Sequence, residues 1–119
     1  MQRPELPDII KLNTLDKESF QNSTLRPIIK MLNAQLLQMI KCALKTKNKD
    51  YQNLQLEKQE LFIQKTISKD IALNNILKGM IIGQMTEIEL KAYLEESKEQ
   101  GRRIIQIVTE RFISQTLKQ

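Results

Sequence analysis

Residues 28–44 read IIKMLNAQLLQMIKCAL, a run in which apolar positions recur too often for a one-sided helix. At about 100° per residue, Ile28, Ile29, Met31, Leu32, Leu36, Leu37, Met39, Ile40, Cys42, Ala43 and Leu44 cover well over half the circumference. Only Lys30, Gln38, Lys41 and Lys45 fall on a clear polar stripe. Each large aliphatic side chain left in water forgoes roughly 1.5 to 3 kcal/mol of burial. The run therefore predicts a helix gripped from several directions, either by its own chain or by a second copy.

The flanking segments are expected to supply that grip. Residues 1–15, with Pro4 and Pro7, lack helical spacing and are expected to form an extended leader. Residues 16–119 are expected to form a single helical domain. Ser23 or Thr24 is placed to cap the central helix, with Pro27 in its first turn, where a missing N–H costs nothing. After the turn NKDYQN a second helix is expected over about 54–69, with Leu56, Phe62, Ile63 and Ile67 inward. Asp70 caps a third segment in which Leu73, Ile76, Leu77, Met80 and Ile81 share a face. There Gly79 permits a close helix crossing and Gly83 serves as a left-handed C-terminal cap. Thr86-Glu-Ile-Glu89 is a capping box that opens a short fourth helix carrying Ile88, Leu90, Tyr93 and Leu94. Ser97 with Gln100 is placed to cap a last helix that buries Ile104, Ile105, Ile107, Val108 and Phe112. The expected fold is all-α, a compact bundle of about five helices with no sheet.

Nineteen basic residues against 14 acidic ones give a net charge of +5, and the lysines appear interleaved with acids rather than gathered in a tail. Lys41, Lys45, Lys47 and Lys49 complement a helix C-terminus, where the dipole favours cations, with a phosphate-binding patch as the alternative. Aromatics are few, so no platform for stacking bases is visible and nucleic acid is an unfavoured partner. The N-terminal MQRPELPDIIKL has no apolar signal region and no run is long enough to span a bilayer. The expected location is the cytoplasm, with no membrane partner.

Histidine is absent, which removes the commonest general base and the commonest transition-metal ligand together. Phosphate-loop, dinucleotide, cysteine-cluster and calcium-loop patterns are missing as well. The acids Glu87, Glu89, Glu95, Glu96 and Glu99 read as caps and solvated surface. No catalytic residue, cofactor or metal is assigned. Cys42 is the single cysteine. Lying on the apolar arc with no histidine to activate it, it reads as reduced core filler rather than a reactive thiol.

Two polar residues stand where apolar ones are expected. Asn33 projects between Ile40 and Leu44, where an unpartnered amide costs on the order of 1 to 3 kcal/mol. It reads either as an edge position reached by water or as a register-setting buried polar group that pairs with its own copy. Arg111 projects between Ile104 and Ile107, so its guanidinium must reach solvent or meet a carboxylate. With Arg102 and Arg103 it forms the candidate anion-binding or salt-bridge cluster.

The runs LRPIIKM at 25–31, LKGMIIGQMTEIEL at 77–90 and GRRIIQIVTER at 101–111 resemble a group of short helical proteins from Bacteroidota. That resemblance implies an all-helical fold and brings no established activity. Some sequences of the group carry a glyoxalase label, which the residues here do not support. Glyoxalases are βαβββ metalloenzymes with histidine and glutamate ligands, and this chain has neither histidine nor strand-period segments. The leading expectation is a non-enzymatic helical interaction module that associates with itself as a homodimer. Met80, Ile81 and Ile82 are the candidate dimer surface, because two widely apolar helices cannot both be central in a monomer. The alternative is a nucleic-acid binder using the lysines at 41–49 and the three arginines.

Overall fold

The computed structural model describes residues 17–117, and among them the chain is helical with short connections and no strand. The elements are α1 (Lys17–Phe20), a π-helical turn (Gln21–Leu25), α2 (Arg26–Met31) and α3 (Asn33–Lys47). A 3₁₀ turn (Tyr51–Asn53), α4 (Leu56–Lys69), α5 (Ile71–Ile82), α6 (Glu87–Glu95) and α7 (Ser97–Thr116) follow. The fold is the expected all-α bundle. The expected leader at 1–15 lies outside the described residues.

The 28–44 run is not one straight helix surrounded on most sides. It bends at Leu32, whose φ of −94° and ψ of 14° separate α2 from α3. Its buried residues form a single stripe of Ile28, Ile29, Leu32, Leu36, Ile40 and Leu44, a 3.6-residue spacing with one wet face. Met31, Leu37, Met39 and Ala43 pack on the edges of that stripe. Cys42 is exposed rather than core filler, because it sits about 200° round the helix from Ile40. Neither Ser23 nor Thr24 caps the helix either. The chain enters α2 through the π turn, where the Arg26 N–H reaches back five residues to the Gln21 carbonyl. A proline inside a helix lacks one N–H and crowds the carbonyl four residues back, and the wider turn just before Pro27 takes up that conflict.

On α4, Ile63 and Ile67 are fully buried and Gln59 and Thr66 nearly so. Leu56, expected inward, is 46% exposed at the start of the helix. Asp70 caps α5 as expected, its Oδ1 accepting from the Leu73 N–H at 3.0 Å. Leu73, Leu77 and Ile81 are the buried face of α5, whereas Ile76 is 44% exposed. Two expectations for the glycines fail. A Cβ at Gly79 would meet nothing within 4 Å, so no helix crosses there. Gly83 has φ −63° and ψ −17°, because α5 ends by tightening into three-residue bonds, Gln84 N–H to the Ile81 carbonyl and Met85 N–H to the Ile82 carbonyl.

The capping box of α6 is present. The Thr86 N–H donates to Glu89 Oε1 at 2.9 Å, and the Glu89 N–H donates to Thr86 Oγ1 at 3.1 Å. Ser97 does not cap α7. The turn between the helices is the single residue Glu96, which leaves Gln100 buried inside the first turns instead.

The helix that is truly gripped is α7. It packs against the π turn, α4, α5 and α6 and buries Ile104, Ile107, Val108 and Phe112, with Ile105 half-buried. Gly101 serves this packing. A Cβ there would lie 3.2 Å from both the Tyr93 hydroxyl and Lys78 Cδ, so the roughly 1 kcal/mol cost of a helical glycine is the cost of the α6–α7 approach.

Candidate functional site

The two polar residues misplaced by sequence pattern meet each other across the bundle. Arg111 Nε on α7 donates to Asn33 Oδ1 at the start of α3, at 2.7 Å. Asn33 Nδ2 donates to Gln115 Oε1 at 3.0 Å, and Gln115 Nε2 donates back to Asn33 Oδ1 at 3.1 Å. A guanidinium can only donate, so Arg111 fixes which end of the Asn33 amide is oxygen, and that choice fixes Gln115 in turn. Asn33 stands half-buried at the edge of the stripe and finds its partners within its own chain. Arg111 meets an amide rather than the expected carboxylate, and among the described residues it has no ion pair.

The expected cluster of Arg102, Arg103 and Arg111 does not converge. Arg102 and Arg103 both bond Glu99, one turn before them, and Arg103 also donates to Gln21 Oε1 on the π turn. Their hydrogen bonds, that from Arg102 first, hold the Glu99 carboxyl below the usual carboxylate range. Arg111 stands two turns further on, about 12 Å along α7.

What does converge on Arg111 comes from α2. A groove of about 360 Å³ is lined by Asn22, Arg26, Pro27, Ile29, Lys30, Ile107 and Arg111. It holds three cations, one amide and no acid. Arg26 and Lys30 are exposed and Arg111 is half-buried, so the charges stand around a groove whose floor is aliphatic. Because Arg111 Nε is committed to Asn33, the Nη end of its guanidinium is the part left for a ligand.

Sequence reasoning missed Arg26 and Lys30, although the signal was there. From Ser19 through Lys49 the chain has no acid at all, while carrying Arg26, Lys30, Lys41, Lys45, Lys47 and Lys49. The basic charge is therefore segregated in the N-terminal half rather than interleaved. Arg26 and Lys30, four residues apart, fall on one face of α2.

On the opposite flank of α7 a wider groove of about 610 Å³ runs between α4, α5 and α7, lined by polar groups including Gln64, Asn74, Lys78, Arg102, Gln106 and Glu110. Its charges are of both signs. Of the candidate dimer surface, Ile81 is fully buried in the chain's own core, and Met80 and Ile82 pack half-buried against it. Ile81 is therefore not available to a second copy, because it belongs to the core face of α5 with Leu73 and Leu77. The outer face of α5 presents Ile71, 75% exposed, whereas Ile76, 44% exposed, stands about 140° round the helix at the edge of the buried side.

Tyr51 and Tyr93 are buried, and burial raises both phenols above their ordinary range. Among the described residues no group of acids and cysteine is arranged to hold a metal ion, and no helix is long and apolar enough to cross a membrane. Comparison with protein-family models, with curated proteins and with solved structures finds no match to this chain.

Proposed function

We propose that the protein is a non-enzymatic helical interaction module that takes an anionic group in the groove between α2 and α7. The observation that carries this reading is the lining: Arg26, Lys30 and Arg111 surround one groove without an acid among its residues. Like charges held together on a folded surface repel, and a bound anion relieves that repulsion. Nothing in the chain supplies a histidine to move protons at neutral pH, which favours recognition over catalysis.

The test is isothermal titration of the full chain at fixed ionic strength with sulfate, phosphate and citrate. Saturable binding is expected, weakened at least tenfold in Arg26→Glu, a change at an exposed position that leaves the melting curve intact. Absence of binding to all three anions, or equal binding by the variant, overturns the reading.

Self-association is kept as a second reading because Ile71 stands 75% exposed on the outer face of α5. We propose the outer face of α5 about Ile71, with half-buried Ile82 at its end, rather than Met80 and Ile81, as the surface that would meet a second copy.

A further inference from the structure

Resting on the anion-binding reading, we propose that the groove is built for a phosphate monoester, with the phosphate held by Arg111, Arg26 and Lys30 and the organic part lying over Pro27. Donors reach the groove from two helices, Arg26 and Lys30 from α2 and Arg111 from α7, with the Asn22 amide from the π turn beside them. A carboxylate offers two oxygens in one plane, which a single guanidinium fork satisfies. A phosphate monoester offers three terminal oxygens in a pyramid, so three donors approaching from different sides each find one. Its charge approaches −2 at neutral pH, a closer match to three cations than the single charge of a carboxylate or of a nucleic-acid phosphodiester.

Arg111 is prepared for this role. Its Nε is fixed by Asn33, and Asn33 is fixed by reciprocal bonds with Gln115. The guanidinium is thereby held at the groove before any ligand arrives, which lowers the ordering cost of binding. The groove, at about 360 Å³, lies in the range of small-molecule sites and is larger than a phosphate group needs. Pro27 with Ile29 and Ile107 gives the surplus an apolar wall.

The lack of histidine makes the idea sharply testable. Facing the groove are Arg26 and Lys30 from α2 and Arg111 from α7. Arg103 and Glu99 lie about two to three turns back along α7 and Glu110 faces the opposite flank, and behind Arg111 α3 places the uncharged Asn33. The chain brings no histidine to the groove, whereas the monoester's second proton, with a pKa of about 6, leaves between pH 5.5 and 7.5.

The experiment is isothermal titration of the full chain with phenyl phosphate, inorganic phosphate, dimethyl phosphate and sulfate at pH 5.5 and 7.5. Phenyl phosphate is expected to bind most tightly and to tighten roughly fourfold over that interval as its dianion fraction rises. Sulfate, a dianion throughout, is expected to show no such change. Arg111→Lys keeps the charge but loses the fork and the Asn33 bond, and should weaken phenyl phosphate at least tenfold while sparing the fold. Inorganic phosphate binding as well as phenyl phosphate overturns the ester assignment. Dimethyl phosphate binding as tightly as phenyl phosphate, with no pH dependence, overturns the monoester and leaves a general anion groove. Failure of every anion overturns both readings.

Discussion

Asn33 and Arg111 show what single residues on an apolar arc can disclose. Each broke the hydrophobic pattern of its own helix, and physical cost required either water or a partner for both. Their being partners of one another was not legible, because residues 78 positions apart in sequence are related only by the packing of α7 against the start of α3. Cys42 failed for the opposite reason. Its small apolar character fits either side of a helix, and only the angle to Ile40 places it outside. The polar pair carries a prediction. Asn33→Ala leaves Arg111 Nε and the Gln115 amide without their acceptor and should cost roughly 1 to 3 kcal/mol. Asn33→Asp keeps an acceptor for both and should stay close to the parent at pH 7. Chemical denaturation of the three proteins decides it, and equal losses in the two variants would show that the Arg111 contact does not stabilise the fold.

At the scale of elements, strong local chemistry was legible and long-range geometry was not. The Asp70 cap and the Thr86–Glu89 box formed as read, because a capping bond spans only three residues. The glycines of α5 misled, since the same residue serves a crossing, a left-handed cap or open surface, and sequence does not choose among them. Gly79 lies in the helical interior with nothing near its absent Cβ. Gly79→Ala should therefore stabilise the monomer by about 0.5 to 1 kcal/mol, the helix-propensity difference, and raise the melting temperature by a few degrees. Calorimetry at two protein concentrations gives the reading its force. A loss of stability in the variant that grows with concentration would mean that a second copy sits on Gly79.

For the whole molecule, the expectation of a dimer began from two helices too apolar to share one core. The structure resolves that conflict inside the chain. The 28–44 run buries one stripe, α5 turns Ile81 inward, and α7, whose pattern is that of an ordinary amphipathic helix, occupies the middle. Counting apolar residues around a circumference overstated the demand for cover, because Met31, Leu37 and Met39 rest half-buried at the edge of the stripe. What remains for association is the exposed face of α5. At 12 residues that helix is about 18 Å long, too short to reach by itself the 1,200 to 2,000 Å² or so of a standard interface. A dimer seated there should accordingly be weak, forming in the micromolar range and falling apart on dilution. Ile71→Glu should shift it to monomer in sedimentation velocity with its helical circular dichroism unchanged. Ile81→Ala should act differently, lowering stability by roughly 2 to 5 kcal/mol through the cavity it leaves without a direct effect on association. A parent chain that stays monomeric at hundreds of micromolar would retire self-association on this face.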